Sequence, residues 1–232
     1  MSNDVALLDV LDVTDAQNLP AGEFSAWLRV AMGNQRHAAE VDVPCGACTA
    51  CCRASYFIHI EPDESATLAR IPAPLLFPAP GLPAGHVVLG HDEDGHCPML
   101  VDDQCSIYDH RPRTCRSFDC RVFSAAGLEP TQADMRARTQ RWRFDYADDR
   151  ARLAHAAVRA ASRFLRAHAQ SFPHGIPGSP AQLADLSLRV HEVFLTANDA
   201  AAASGQKADV AQLIAAVIAV GSSAPDRDRG SG

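Results

Sequence analysis

Residues 45–52 read Cys45-Gly46-Ala47-Cys48-Thr49-Ala50-Cys51-Cys52. Half of the chain's eight cysteines fall in these eight residues; the others follow at Cys97, Cys105, Cys115 and Cys120. None precedes Cys45 and none follows Cys120. Cysteines buried only as small apolar side chains would be scattered, whereas these are bunched at short spacings. Thiolates are soft donors, and two cysteines separated by two residues can close a loop onto one ion. Cys45, Cys48 and Cys51 form two overlapping pairs of that kind. Adjacent Cys51 and Cys52 do not both reach one ion without a strained turn, so Cys52 serves a second metal, bridges, or stays unligated. Eight thiolates match two four-cysteine sites, or one four-iron cluster with four thiols left for another purpose, and spacing does not choose. The stretch predicts a metal hub with little regular structure of its own, in which small residues leave room for a tight loop.

Outward from the octet, both flanks read as ordinary globular chain. Upstream, residues 1–20 are acidic and read as a flexible tail ending in a turn at Asn18–Gly22. A helix follows over about Glu23–Ala38, with Phe24, Trp27, Leu28 and Ala31 on its apolar face. Downstream, Ser55–Ile60 alternates as a strand, with Tyr56, Ile58 and Ile60 on one face and Phe57 and His59 on the other. A short helix begins near Pro62, and five prolines between Ile71 and Pro83 predict an irregular connection. His86–Gly90 and Cys97–Val101 read as a β-hairpin about the Asp92–Gly95 turn, and Asp102–Gln104 turns again to deliver Cys105. The segment from Ile107 to Cys120 is expected to be helical or turn-rich.

Helices are expected over Thr131–Tyr146, Asp149–Ala169, Pro180–Thr196 and Ala208–Val220. The inward stripes are Met135, Thr139, Trp142 and Tyr146, then Leu153, Ala157, Ala161, Phe164, Leu165 and His168, then Leu183, Leu186, Val190 and Phe194. Ala200–Gly205 reads as a linker. The expected organisation is a tail (1–20), a cysteine-cluster metal-binding domain (21–125), a helical extension (126–198), a linker with a last helix (199–220) and a disordered end (221–232). The fold class is α+β, predominantly α-helical, a cysteine-rich metal hub with a small β-hairpin, surrounded by helices.

The 232 residues carry a net charge of -7. That balance argues against nucleic acid as a partner. Thirteen arginines nevertheless lie between Arg111 and Arg166, against six acids. Because Lys207 is the only lysine, this reads as a solvated helix face in an arginine-preferring chain. The N-terminal stretch lacks a positive region, and the longest apolar run free of proline and glycine, Leu213–Val220, is far short of the ~20 residues a membrane span needs. A cytoplasmic protein without a membrane partner is expected. In a reducing compartment such cysteines read as metal or redox chemistry rather than disulfides. There is no phosphate loop and no zinc-protease motif.

The pattern Cys45-x-x-Cys48-x-x-Cys51-Cys52 continues as Cys97-Pro98-x-Leu100, then Cys105-x-Ile107-Tyr108-x-x-Arg111-Pro112-x-x-Cys115-Arg116-x-Phe118-x-Cys120. It resembles the YkgJ-type cysteine-cluster family, a zinc- or iron-chelating domain, over about residues 40–125 and at all eight cysteines. The resemblance implies binding of zinc or iron, including a 4Fe-4S cluster, and names no reaction. Flagellin lysine methylases carry a similar cluster, which adds an iron–sulfur-dependent oxidoreductase or methyl-transfer enzyme as a second reading. A metal delivery or protein-interaction module is a third. The candidate ligands are Cys45, Cys48, Cys51, Cys52, Cys97, Cys105, Cys115 and Cys120. Arg111 and Arg116 are placed to offset thiolate charge and donate to sulfur, and Tyr108 and Phe118 to pack over the site. His59, His91, His96 and His110 are weaker candidates, with so many thiols at hand.

Overall fold

The computed structural model describes residues 18–37, 43, 45–204 and 208–222. Most of the expected N-terminal tail, Ala38, Val41, Gly205 and the end of the chain from residue 223 lie outside them. In order, the chain forms β1 (Leu19–Glu23), α1 (Phe24–His37), β2 (Ile58–Ile60), α2 (Ser65–Leu68) and β3 (Leu76–Pro78). It continues with β4 (Val87–Leu89), β5 (Leu100–Val101), β6 (Gln104–Cys105), α3 (Arg113–Ser117) and α4 (Arg121–Ala126). The last elements are α5 (Ala133–Thr139), β7 (Trp142–Asp145), α6 (Asp149–Ala167), α7 (Pro180–Ser204) and α8 (Val210–Ser222). The fold is α+β and predominantly helical, with small sheets. Among the described residues no helix is long and apolar enough to cross a membrane.

Two compact units divide the described chain. One holds the residues up to Met32, Cys120–Thr131 and those from Arg136 onward; the other holds Gly33–Asp119 and Gln132–Met135.

In the first unit, α4, α6 and α7 pack together, α8 packs on α7, and β1 runs parallel to β7. The expected turn at Asn18–Gly22 is therefore a strand. Pro20 is tolerated in a two-stranded ribbon because one edge of each strand needs no partner, and a register shift between Pro20 and Gly22 absorbs the irregularity. The expected helix over Thr131–Tyr146 is also corrected. It ends at Thr139, and Trp142–Asp145 becomes β7. Alternating Trp-Arg-Phe-Asp suits a half-buried strand, and β1 supplies a pairing edge that helical periodicity does not reveal.

On α6 the arginines Arg152, Arg159, Arg163 and Arg166 face solvent as expected, but the buried stripe is shifted. Leu153 is 45% exposed, while His155 is buried beside Val158, Ala161 and Leu165. His155 can go inside because its polar atoms are satisfied. Arg159 Nε donates to its Nε2 at 3.3 Å. That leaves the ring proton on Nδ1, which lies 2.7 Å from the Tyr146 hydroxyl. The imidazole also stacks on Phe24, with centroids 4.4 Å apart and planes at 16°. Asp148 caps α6 by accepting from the Ala151 amide at 2.8 Å. Helix α7 runs on to Ser204, so Ala200–Ser204 is helix rather than linker; alanine is the strongest helix former.

In the second unit a three-stranded antiparallel sheet has the order β2-β4-β3. Ile60 and Leu89 point into a core with Ile71, Met99 and Ile107, and Cys97 and Cys105 pack against that core. Phe57, on the opposite face, is 66% exposed, as the alternation predicts. The proline-rich connection contains an edge strand, β3, ending at Pro78 where no ladder bond is needed. The hairpin lies elsewhere than expected. β4 pairs with β2 and β3, and the tight hairpin is β5–β6 about Asp102-Asp103. Both aspartates have positive φ (48° and 59°), the backbone of a two-residue primed turn. Helix α3 packs on β2, and Thr114 Oγ1 donates to the His59 carbonyl at 2.7 Å.

Two predictions follow from these contacts. Burial, then the neighbouring Arg159 charge, lowers the His155 pKa from 6.5 to about 4. The unfolded chain binds the proton more readily between those values. This stabilisation is therefore complete above about pH 6.5 and is lost as pH falls towards 4, a loss of about 2–3 kcal/mol at most. Denaturation followed by Trp27 and Trp142 fluorescence should show that slope in the wild type, reduced in His155→Gln. In the second unit, Gly95 has φ +79°, and a Cβ there would lie 2.2 Å from Ser55 Oγ. Gly95→Ala should cost about 1–2 kcal/mol in denaturant melts. Adding Ser55→Ala should recover only part of it, because the left-handed backbone stays strained.

Candidate metal centre

Three stretches of the second unit carry seven of the eight cysteines, and backbone bonds tie them together. The octet opens with a turn in which the Cys48 amide donates to the Cys45 carbonyl at 3.0 Å, and Gly46 supplies the positive φ of 56°. A 3-10 turn over Cys51–Arg53 closes it, where the Ala54 amide donates to the Cys51 carbonyl. The Cys97 amide then donates to the Cys52 carbonyl at 2.7 Å, joining the octet to the stretch that leads into the β5–β6 hairpin. From the third stretch, the Tyr108 hydroxyl accepts from the Gly46 amide at 3.3 Å, and the Arg116 carbonyl accepts from the Val43 amide at 2.8 Å.

This framing brings thiols into each other's electrostatic reach. Burial pushes the Cys52 thiol up to about 12, and Cys97, Cys105, Cys45 and Cys48 add to the rise because clustered thiolates repel. Burial also raises Cys115, with Cys97, Cys52, Cys105 and Cys45 contributing, and it raises Cys97, with Cys105 contributing. Cys45, Cys48 and Cys105 thus lie within electrostatic reach of Cys52, Cys97 or Cys115, which groups six thiols. Protonated, such a set gains little from clustering; a cation would replace the protons and remove the repulsion. Among the described residues, no three His, Cys, Asp or Glu side chains stand close enough to hold an ion as they are. The donor chemistry nevertheless fits a soft or borderline metal: several thiols share one half-buried region and none is in a disulfide.

The remaining candidates sort by what they touch. The Cys51 thiol donates to Met135 Sδ at 3.5 Å, and Met135 is fully buried. Its thioether is a soft donor that the sequence reading placed only on an apolar stripe; no spacing rule marks a lone methionine, so nothing there could have found it. Buried Arg111 donates through Nη1 to the Tyr108 carbonyl at 2.9 Å and through Nη2 to the Val43 carbonyl at 3.3 Å, and its guanidinium lies 4.0 Å over the Tyr108 ring. It therefore braces the loops around the thiols. Arg53 pairs with Asp103, and Arg113 with Glu61 and Asp63. Phe118 meets Tyr56 edge-on at 6.1 Å. His96 Nε2 is 3.5 Å from Arg53, and His91 stays with the Asp92 carbonyl. Cys120 belongs to the other unit, where the Trp142 indole donates to its sulfur at 3.3 Å and Arg138 lies 4.8 Å over the Trp142 ring. Sequence spacing gave no sign of that partner, because Trp142 reads as part of a helix.

No curated protein and no solved structure matches the chain. A family model does match, over residues 44–141, and its description is "CxxCxxCC: Putative zinc- or iron-chelating domain". The matched span takes in all eight cysteines and the arginine, tyrosine and phenylalanine positions around them. Over residues 44–141, less than half of the chain, the protein is thus similar to the CxxCxxCC domain of that description.

Proposed function

We propose that this chain is a polynuclear metal-binding protein of a reducing compartment, its donors drawn from Cys45, Cys48, Cys52, Cys97, Cys105 and Cys115. The observation that carries this reading is the grouping of those six thiols, with Cys45, Cys48 and Cys105 in electrostatic reach of buried Cys52, Cys97 or Cys115 and the Cys97 amide bonded to the Cys52 carbonyl. A single tetrahedral site uses four ligands, so six grouped thiols exceed one such set. That surplus favours two ions or a 4Fe-4S cluster with neighbouring thiols over one isolated zinc. Cys51 joins the pool as the thiol beside Met135, and Cys120 is retained on its place in the motif alone. A bound ion would supply Lewis acidity or, as clustered iron, electron exchange. The protein's own residues do the rest: Arg111 fixes the Val43 and Tyr108 carbonyls, Tyr108 fixes Gly46, Arg116 fixes Val43, and Phe118 packs on Tyr56. A cytoplasmic setting follows from the chemistry, since thiols must stay reduced to act as donors.

Cys52→Ser combined with Cys97→Ser should remove most of the metal found in the wild type after anaerobic purification, and should lower the melting temperature by several degrees, because binding free energy is also folding free energy. Metal analysis and an absorption spectrum are the readouts. Metal content unchanged in the double variant would overturn the assignment. One zinc ion and no visible absorbance in the wild type would overturn its polynuclear part.

A further inference from the structure

Outside the cysteine cluster, the outer face of the three-stranded sheet carries two imidazoles in contact. His59 on β2 lies opposite Val88 on β4, and His86 immediately precedes β4. The two are therefore diagonal neighbours on the face that points away from Ile60 and Leu89, close enough for long side chains to meet. His59 Nε2 and His86 Nδ1 are 3.0 Å apart, the ring centroids 5.2 Å apart, and the planes 8° from parallel. A nitrogen separation that short is less than the thickness of a face-to-face stack. The rings therefore lie side by side in nearly a common plane, with the two nitrogens turned toward each other. One nitrogen donates the proton and the other accepts it.

We propose that His59 and His86 form a second metal site, separate from the thiols, which takes a borderline divalent transition ion such as Zn²⁺ through His59 Nε2 and His86 Nδ1. Imidazole nitrogens bind Zn²⁺ at about 2.0–2.1 Å, so two on one tetrahedral ion sit roughly 3.3–3.4 Å apart. The nitrogens need to separate by only a few tenths of an ångström, but because they point at each other, each ring must also turn by roughly 35° for both lone pairs to converge on the ion. The strands already fix both backbones, and the Thr114 hydroxyl holds the His59 carbonyl at 2.7 Å. The ion therefore has side-chain rotation, and no backbone, to order. Both imidazoles are half-buried, which leaves room for water at the remaining coordination positions. Binding conserves protons. The proton between the rings exchanges through water onto the outer nitrogen of the same ring, and both inner lone pairs then face the ion. Nearby charge is mixed. The Asp63 carboxylate lies within electrostatic reach of His86, and Arg113 pairs with Asp63 and with Glu61.

The test is a Zn²⁺ titration by calorimetry of the full chain already holding its thiol-bound metal. A weaker step of one ion per chain is expected in the wild type and in His91→Gln. In His59→Gln and in His86→Gln that step should weaken by at least roughly tenfold, since losing a direct ligand costs no less than losing a partner that orients one. The thiol-bound metal should stay unchanged in both. Absence of the step in the wild type, or its persistence in both glutamine variants, would overturn the proposal. Should either variant lose its folded circular dichroism, long-range proton–nitrogen spectra of the wild type decide. Zn²⁺ should shift His59 Nε2 and His86 Nδ1, and unmoved resonances would be equally fatal. The site does not depend on the cysteine assignment, because the same step is expected in the Cys52→Ser, Cys97→Ser double variant.

Discussion

The constraint on which the second unit depends is the burial and crowding of its thiols, which makes them costly to ionise. Burial raises the cost of ionising Cys52, Cys97 and Cys115, and neighbouring thiolates add to it. Nothing in apolar packing calls for such a grouping. The core beside it, Ile60, Ile71, Leu89, Met99 and Ile107, is complete as an aliphatic cluster and uses Cys97 and Cys105 only at its edge. The grouping is instead imposed by short backbone bonds: Cys97 to Cys52, Cys48 to Cys45, Val43 to Arg116. On the proposed assignment, a cation replacing the protons would make favourable a grouping that the backbone bonds hold together.

The arginines show how charge around such a site is handled. Arg53, Arg111 and Arg113 lie within a few residues of cysteines, and sequence proximity suggests donation to sulfur. In the structure Arg53 and Arg113 have carboxylate partners, and Arg111 holds carbonyls and lies over Tyr108. Their geometry is thus set by groups other than the thiols. Arg111 is the strongest case. It is only 5% exposed, and a buried guanidinium is tolerated where its donors find oxygens and its flat face finds a ring. Its role is to hold the Val43 and Tyr108 segments at fixed distance from the octet.

The fold class and the grouping of seven cysteines in one unit were legible in the sequence, the strand pairings around them less so. Cysteine spacing is a one-dimensional signal that survives folding, because a C-x-x-C pair must close on itself wherever it lies. The alternation at Tyr56–Ile60 was legible for the same reason, since period two is local. What failed was non-local. Trp142–Asp145 is a strand because Leu19–Glu23 lies alongside it, more than a hundred residues away, and neither segment announces the other. The hairpin was misplaced because the Asp92–Gly95 turn is as good a signal as Asp102-Asp103, and only the competing edges offered by β2 and β3 decide where β4 pairs. On α6 the missing information was a partner for a polar ring. Given Phe24, Tyr146 and Arg159, His155 outcompetes Leu153 for the interior.

The histidines follow the same logic as the thiols, with softer chemistry. His96, adjacent to Cys97 in sequence, lies beside Arg53, and a guanidinium next to an imidazole nitrogen disfavours a cation there. His59 and His86, 27 residues apart, meet because antiparallel pairing of β2 with β4 places them diagonally on one face. Strand register, not proximity along the chain, brings His59 and His86 together. Thiols on closed loops and imidazoles on a sheet face would also differ in selectivity. The former prefer soft ions and the latter borderline ones. If both proposed sites bind, one small unit would present two donor chemistries on separate parts of its backbone, closed loops and a sheet face.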